Sequence, residues 1–178
     1  MQCRRAIVPG GTFLFTVVTD RRRPILVSDE AIDVLRDAFR SVRPLRPFEI
    51  DAIVVMPNHL HCIWTLPPED TDDSTRWRLI KTRFTKDCPA TLRQIPDTAR
   101  LRKGEQAIWP HRYWEHQIRD ETDFARHVDY IHYNPVKHGL ARSAIVWPHS
   151  SFGRYVKAGV YPPDWGHELT CEDGIGSE

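Results

Sequence analysis

Apolar positions along the chain change period several times, and each change marks an element. Residues 12–19, behind Gly10-Gly11, are rich in β-branched and aromatic side chains and predict a strand. The period then lengthens: Ala31, Ile32, Leu35, Ala38 and Phe39 recur at helical spacing behind Ser28, a residue suited to an N-cap. Pro44 and Pro47 end that helix. Residues 48–55 and 59–66 predict two more strands, joined through Pro57-Asn58 tightly enough for a hairpin. After an acidic loop, Asp73 or Ser74 is expected to cap a helix reaching about Lys86, with Trp77, Ile80 and Phe84 on one face. Residues 88–103 read as irregular and mobile. Residues 108–118 predict a fourth strand, and Asp120 is expected to cap a helix with Phe124, Val128 and Ile131 as its core stripe. The order βαββαβα is that of an α+β protein, a ferredoxin-like antiparallel sheet with helices packed on it.

Composition changes this picture little. The 178 residues, 40% apolar and 10% aromatic, suffice for one domain with a real core. The expected layout is a single domain over residues 1–178. Its core covers about 10–140, an extension covers 141–166, and an acidic, flexible tail covers 167–178. Net charge is only +1, but it is unevenly spread. Residues 164–178 hold five acids and no Lys or Arg, which leaves 25 basic against 19 acidic side chains elsewhere, a net +6. Arg21, Arg22 and Arg23 form one basic cluster; Arg76, Arg78, Lys81, Arg83 and Lys86 form another. Such clusters hold phosphates or simply face water. Trp109, Tyr113 and Trp114 can stack unpaired bases, with core packing expected for at least one. Four cysteines without CxxC spacing fit a reduced, cytoplasmic chain. No signal peptide or membrane span is evident.

Two motifs carry the chemistry. Alternate side chains of a strand share a face, so His59 and His61 point one way while Leu60, Cys62 and Trp64 point the other, toward a core. A strand histidine is most often packed or surface-exposed. Two neighbouring imidazoles on one face can also share a divalent metal. Zinc would want a third protein ligand; Mg²⁺ or Mn²⁺ accepts imidazole when phosphate and water complete the shell. In the last helix, Tyr130 and Asn134 lie one turn apart on one face. A tyrosine at the edge of a buried stripe either packs or offers its hydroxyl as a nucleophile. Tyr133 competes but points toward the expected solvent side. Asn134 precedes Pro135, so it is expected to cap a short second helix at 135–138 closed by Gly139. Lys137 lies beyond it, as a phosphate contact or a helix-end cation.

The stretch Val55-Met56-Pro57-Asn58-His59-Leu60-His61 resembles the histidine–hydrophobic–histidine signature of single-tyrosine HUH transposases. Residues 127–140, with Tyr130-Ile131-His132-Tyr133-Asn134-Pro135-Val136-Lys137-His138-Gly139-Leu140, resemble the REP-associated tyrosine transposases, proteins linked to repetitive extragenic palindromes. Gly11-Thr12-Phe13, Tyr113-Trp114-Glu115-His116, and Trp147-Pro148 through Ser151-Phe152 to Tyr155 match as well, so the resemblance covers about residues 10–166. It implies Mg²⁺ or Mn²⁺ held by His59 and His61, and Tyr130 as nucleophile. It also implies Asn134 as third ligand, where relatives often carry the longer glutamine. The implied activity is metal-dependent cleavage and rejoining of single-stranded, hairpin-forming repeat DNA through a 5′-phosphotyrosine, by a monomer. Histidines must be neutral to ligate, so activity is expected to fall below roughly pH 6. Two other readings stand beside it. One is a DNA-binding regulator that keeps the fold without cutting. The other is a zinc hydrolase using His59, His61 and His127 or His116, which no HExxH helix supports.

Overall fold

The computed structural model describes residues 8–166. The acidic tail expected at 167–178 lies outside them. Four strands, β1 (Thr12–Val18), β2 (Glu49–Met56), β3 (His59–Thr65) and β4 (Trp114–Gln117), form one sheet in the order β2-β3-β1-β4. Every neighbouring pair is antiparallel. The main helices are α1 (Asp29–Val42), α2 (Asp73–Asp87) and α4 (Glu121–Lys137), with shorter α3 (Thr98–Arg102) and α5 (Phe152–Lys157). This is the ferredoxin-like α+β arrangement the apolar pattern predicts.

Strand parity divides the interior into two layers. Phe13, Phe15, Val17, Leu60, Cys62 and Trp64 face α1 and α2 and build the larger core with Ile32, Leu35, Phe39, Trp77, Ile80 and Phe84. Leu14, Ala52, Val54, Met56 and Ile63 face the other way and meet Val128 and Ile131 of α4. Ser28 caps α1 by accepting from the Ala31 N–H. Asp72, rather than Asp73 or Ser74, caps α2 by accepting from the Thr75 N–H.

Three expectations about local structure are corrected. Strand β4 is four residues long, not eleven, because Pro110 has no N–H for a ladder and Ile108 and Trp109 turn into the core. Residues 88–103 hold a 3₁₀ turn (Ala90–Leu92) and α3, tied back by Arg100 to Asp20 at 2.7 Å. Helix α4 runs unbroken through Pro135: the helical ladder resumes with the His138 N–H donating to the Asn134 carbonyl, and Gly139 ends it at φ +67°. Asn134 is therefore interior to one helix, not the cap of a second.

The C-terminal segment seals the far edge of the sheet. The Val55 N–H donates to the His149 carbonyl and the Ser151 N–H to the Ile53 carbonyl, each at 2.8 Å, beside a bridge between Val54 and Ser150. The Trp147 indole donates to the Val55 carbonyl at 3.0 Å. An unpaired β2 edge would invite strand addition, and this segment occupies it.

Candidate functional site

The β2–β3 hairpin turn is held from outside. Both the amide and the hydroxyl of Thr19 donate to the Asn58 carbonyl, and the Leu26 N–H donates to the Pro57 carbonyl, each at 2.9 Å. This fixes the start of β3, where His59 and His61 stand on the α4 side of the sheet with ring centroids 4.8 Å apart. Each imidazole is oriented through Nδ1. That of His59 engages Asn58 Oδ1 at 2.6 Å, and that of His61 engages the Thr16 hydroxyl at 2.8 Å. When Nδ1 carries the proton, Nε2 is the nitrogen with the lone pair, as a metal ligand requires.

Helix α4 crosses this face and delivers the tyrosine. Tyr130 Oη lies 3.4 Å from His61 Nε2, across 69 residues of sequence, and the two ring centroids are 5.1 Å apart. Lys137 Nζ stands 5.3 Å over the Tyr130 ring, and His138 is 5.8 Å from His59 between centroids. Burial pushes the His61 pKa down to about 3, and the neighbouring His59, His138, Lys137 and Arg22 act in the same direction.

Asn134 sits one turn past Tyr130 and is fully buried. Its Oδ1 and Nδ2 make no hydrogen bond to the described residues. A buried amide without partners costs stability, so its retention fits a ligand or substrate contact. Tyr133 packs against Trp165 of the C-terminal segment, where solvent was expected.

The basic residues separate into two groups. Arg76 is fully buried, bonded to Asp70 and to the carbonyls of Arg46, Pro47 and Asp72. It is a structural clamp rather than a DNA contact, because its buried guanidinium is committed to Asp70 and to three backbone carbonyls. Arg23 likewise donates to the carbonyls of Leu92 and Ala107. Lys81 donates to the Pro110 carbonyl at 3.0 Å, and Arg83 pairs with Asp87 at 2.8 Å. Arg21, Arg22, Arg78, Lys86 and Lys137 are exposed. Of the three aromatic candidates, Trp109 is core, Tyr113 packs edge-on against Phe15, and Trp114 is 50% exposed.

A second constellation was not legible beforehand. His116, Asp123 and His127 bring three metal-capable atoms within 4.8 Å of one another. Asp123 Oδ2 already accepts from His116 Nε2 at 3.0 Å and from the Arg119 amide and guanidinium, each at 3.1 Å. The Arg119 guanidinium holds the Asp123 carboxyl well below the usual carboxylate range. With that cation in place, the group reads as a polar tie between β4 and α4. It also takes His116 and His127 into its own network, which removes the support for zinc at His59 and His61.

A histidine pair on an inner strand of a ferredoxin-like sheet, met by a helix tyrosine on the same face, is the arrangement expected from the resemblance to the single-tyrosine HUH transposases. No protein-family model matches the chain. It is 46% identical to a REP-associated tyrosine transposase of Escherichia coli (strain K12) over 167 residues, which is 94% of this chain and 92% of the relative. A relative assigned to the same group, from Haemophilus influenzae, is 42% identical over 92% of each. A solved REP-associated tyrosine transposase bound to a REP hairpin superposes with a TM-score of 0.79, at 42% identity over 99% of both chains. The chain belongs to the REP-associated tyrosine transposases.

Proposed function

We propose that this transposase binds REP-like hairpins of single-stranded DNA, cleaves beside them and rejoins the ends through a phosphotyrosine on Tyr130. The observation that carries this reading is the 3.4 Å approach of the Tyr130 hydroxyl to His61 Nε2, between elements remote in sequence. In the cleavage step Tyr130 Oη bonds to the scissile phosphorus as the P–O3′ bond breaks. The phenolic proton leaves, the 3′-oxygen gains one, and a 5′-phosphotyrosine and a free 3′-OH result. The ester conserves the energy of the broken bond, so a 3′-OH can reverse the step without ATP.

His59 and His61 would hold a Mg²⁺ or Mn²⁺ ion, with Asn134 as the third protein ligand. The two Nδ1-anchored rings and the partnerless amide of Asn134 fit that ion. Bound there, it supplies the charge that polarises the phosphate. Thr16 and Asn58 orient the imidazoles. Lys137 brings a cation beside the phenol, and Arg22 adds another near His61. Arg21, Arg78 and Lys86 are exposed cations suited to the DNA backbone. The histidines and tyrosine meet within one chain, which supports a monomer. A DNA substrate and the free, buried thiols of Cys62 and Cys88 support the cytoplasm. Among the described residues no helix is long and apolar enough to cross a membrane.

The test is a labelled hairpin drawn from repeats near the source gene, incubated with Mn²⁺ and run on a denaturing gel. A detergent-stable protein–DNA adduct is expected, and Tyr130→Phe removes it. Tight binding with no adduct across metals and hairpins would instead establish a non-cutting regulator.

A further inference from the structure

We infer that Trp114, on the open edge strand β4, is the stacking platform for an unpaired base next to the scissile phosphate. The inference rests on the proposed cleavage of single-stranded DNA. Its starting point is an anomaly of burial. Trp64, Trp77 and Trp109 are in the core, whereas Trp114 leaves half its surface exposed. A half-exposed indole leaves apolar surface in water, and a flat π-face is what an unpaired base seeks.

Register locates the ring. Trp114 pairs with Thr16 of β1, and Thr16 pairs with His61 of β3. Paired residues share a face, so Trp114, Thr16 and His61 stand in one row on the α4 side. The Thr16 hydroxyl already contacts His61. With strands about 4.8 Å apart, the Trp114 backbone lies roughly 10 Å from that of His61, within reach of a nucleotide joined to a phosphate held there. Helix α4, carrying Tyr130 and His127, lies on this same face, with His127 against His116, and β4 ends the sheet, so a strand can leave past it.

The ring is also prepared. Trp114 lies parallel to His116 (5° between planes, centroids 6.0 Å apart), and His116 packs 4.7 Å from His127. Asp123 fixes His116 at 3.0 Å and is itself fixed by Arg119. This network of His116, His127, Asp123 and Arg119 thus orders the platform before DNA arrives, which spares the entropy of ordering it on binding.

Binding is measured by fluorescence polarisation, in the Tyr130→Phe background so that no turnover intervenes. The probes are a REP-like hairpin with its single-stranded flank, and the same DNA with one abasic nucleotide at each flanking position in turn. Trp114→Ala is expected to weaken binding about 5- to 100-fold, and Trp114→Phe only a few-fold. One abasic position should weaken the tryptophan protein equally and the alanine variant no further. Binding by Trp114→Ala within twofold of the parent, or losses that multiply at every abasic position, overturns the platform. Adduct formation by the unmutated protein is scored separately. An adduct without a Trp114 penalty sinks this inference alone, and a Trp114 penalty without an adduct sinks only the cleavage reading.

Discussion

Strand β3 carries two chemistries one residue apart. On one face Trp64 stacks on Trp77 with centroids 4.3 Å apart and packs against Phe48 at 4.2 Å and Phe15 at 4.8 Å. On the other, His59 and His61 hold polar contacts to Asn58 and Thr16 and face a tyrosine that keeps access to solvent. The first face is closed by α1 and α2 with side chains that have nothing to do but exclude water. The second is covered by α4 with groups that are expensive to bury. Free energy gained on the aromatic face lets the histidine face tolerate poorly satisfied groups such as Asn134.

The comparison is tested most sharply by substituting neighbours. Trp64→Ala should cost about 3–5 kcal/mol in urea unfolding, a large share of a typical domain's 5–15 kcal/mol, with cleavage per folded molecule unchanged. His61→Ala should do the reverse: stability within about 1–2 kcal/mol of the parent, and adduct yield with Mn²⁺ down by about 100-fold or more. If His61→Ala unfolds the protein, or Trp64→Ala abolishes cleavage in molecules that remain folded, the division of labour between the faces is wrong.

Both faces of β3 were legible because a strand's period of two writes them into adjacent letters: His59 and His61 against Leu60, Cys62 and Trp64. The stripes of α1, α2 and α4 were legible because a helix's period of 3.6 repeats them at spacings of three and four. What escaped was whatever depends on contacts between distant segments. Thr16 is an ordinary strand threonine until the β1–β3 register sets it against His61. Asp123, in the first turn of α4, shows its role only when β4 brings His116 to it. Arg76 looked like one member of a basic face, since sequence cannot show carbonyls from residues 46, 47 and 72 closing around it. The C-terminal segment's seat along β2 has no local signal at all. The Asn134-Pro135 pair misled in a different way. The local bias against α before proline is real, but packing of Val128 and Ile131 on the sheet, and of buried Pro135 itself, carries the helix through it.

Asn134 offers a smaller test on the histidine face. An apolar side chain of nearly the same shape removes two buried polar atoms that lack protein partners. Asn134→Leu should therefore raise the unfolding free energy by about 1–2 kcal/mol while lowering adduct yield. Thermal melts and the denaturing gel read the two effects from one preparation. A loss of stability would mean that the amide is doing structural work, and would remove the case for it as a ligand.

The smallest effect separates the two kinds of cation. Lys137 is exposed beside Tyr130, whereas the Lys81 stem is covered, its ammonium donating to the Pro110 carbonyl and lying 5.3 Å over the Tyr113 ring. Burial lowers the Lys81 pKa to about 8 from an ordinary value of 10.5. Below pH 8 both folded and unfolded chains carry this proton, and the fold bears the full cost of burying the charge. Between pH 8 and 10.5 the unfolded chain keeps the proton and the folded chain releases it, so stability rises with pH. The rise attributable to Lys81 should be on the order of 1 kcal/mol, the full shift being discounted for the ammonium's partial access to water. It is read as the difference between the parent and Lys81→Met in urea titrations across that range. The same variant should bind hairpin DNA within about twofold of the parent, whereas Lys137→Met should weaken binding and reduce its salt dependence. A Lys81→Met protein with the parent's pH profile and a weakened grip on DNA would move Lys81 from the sealed side of the molecule to the DNA-handling side.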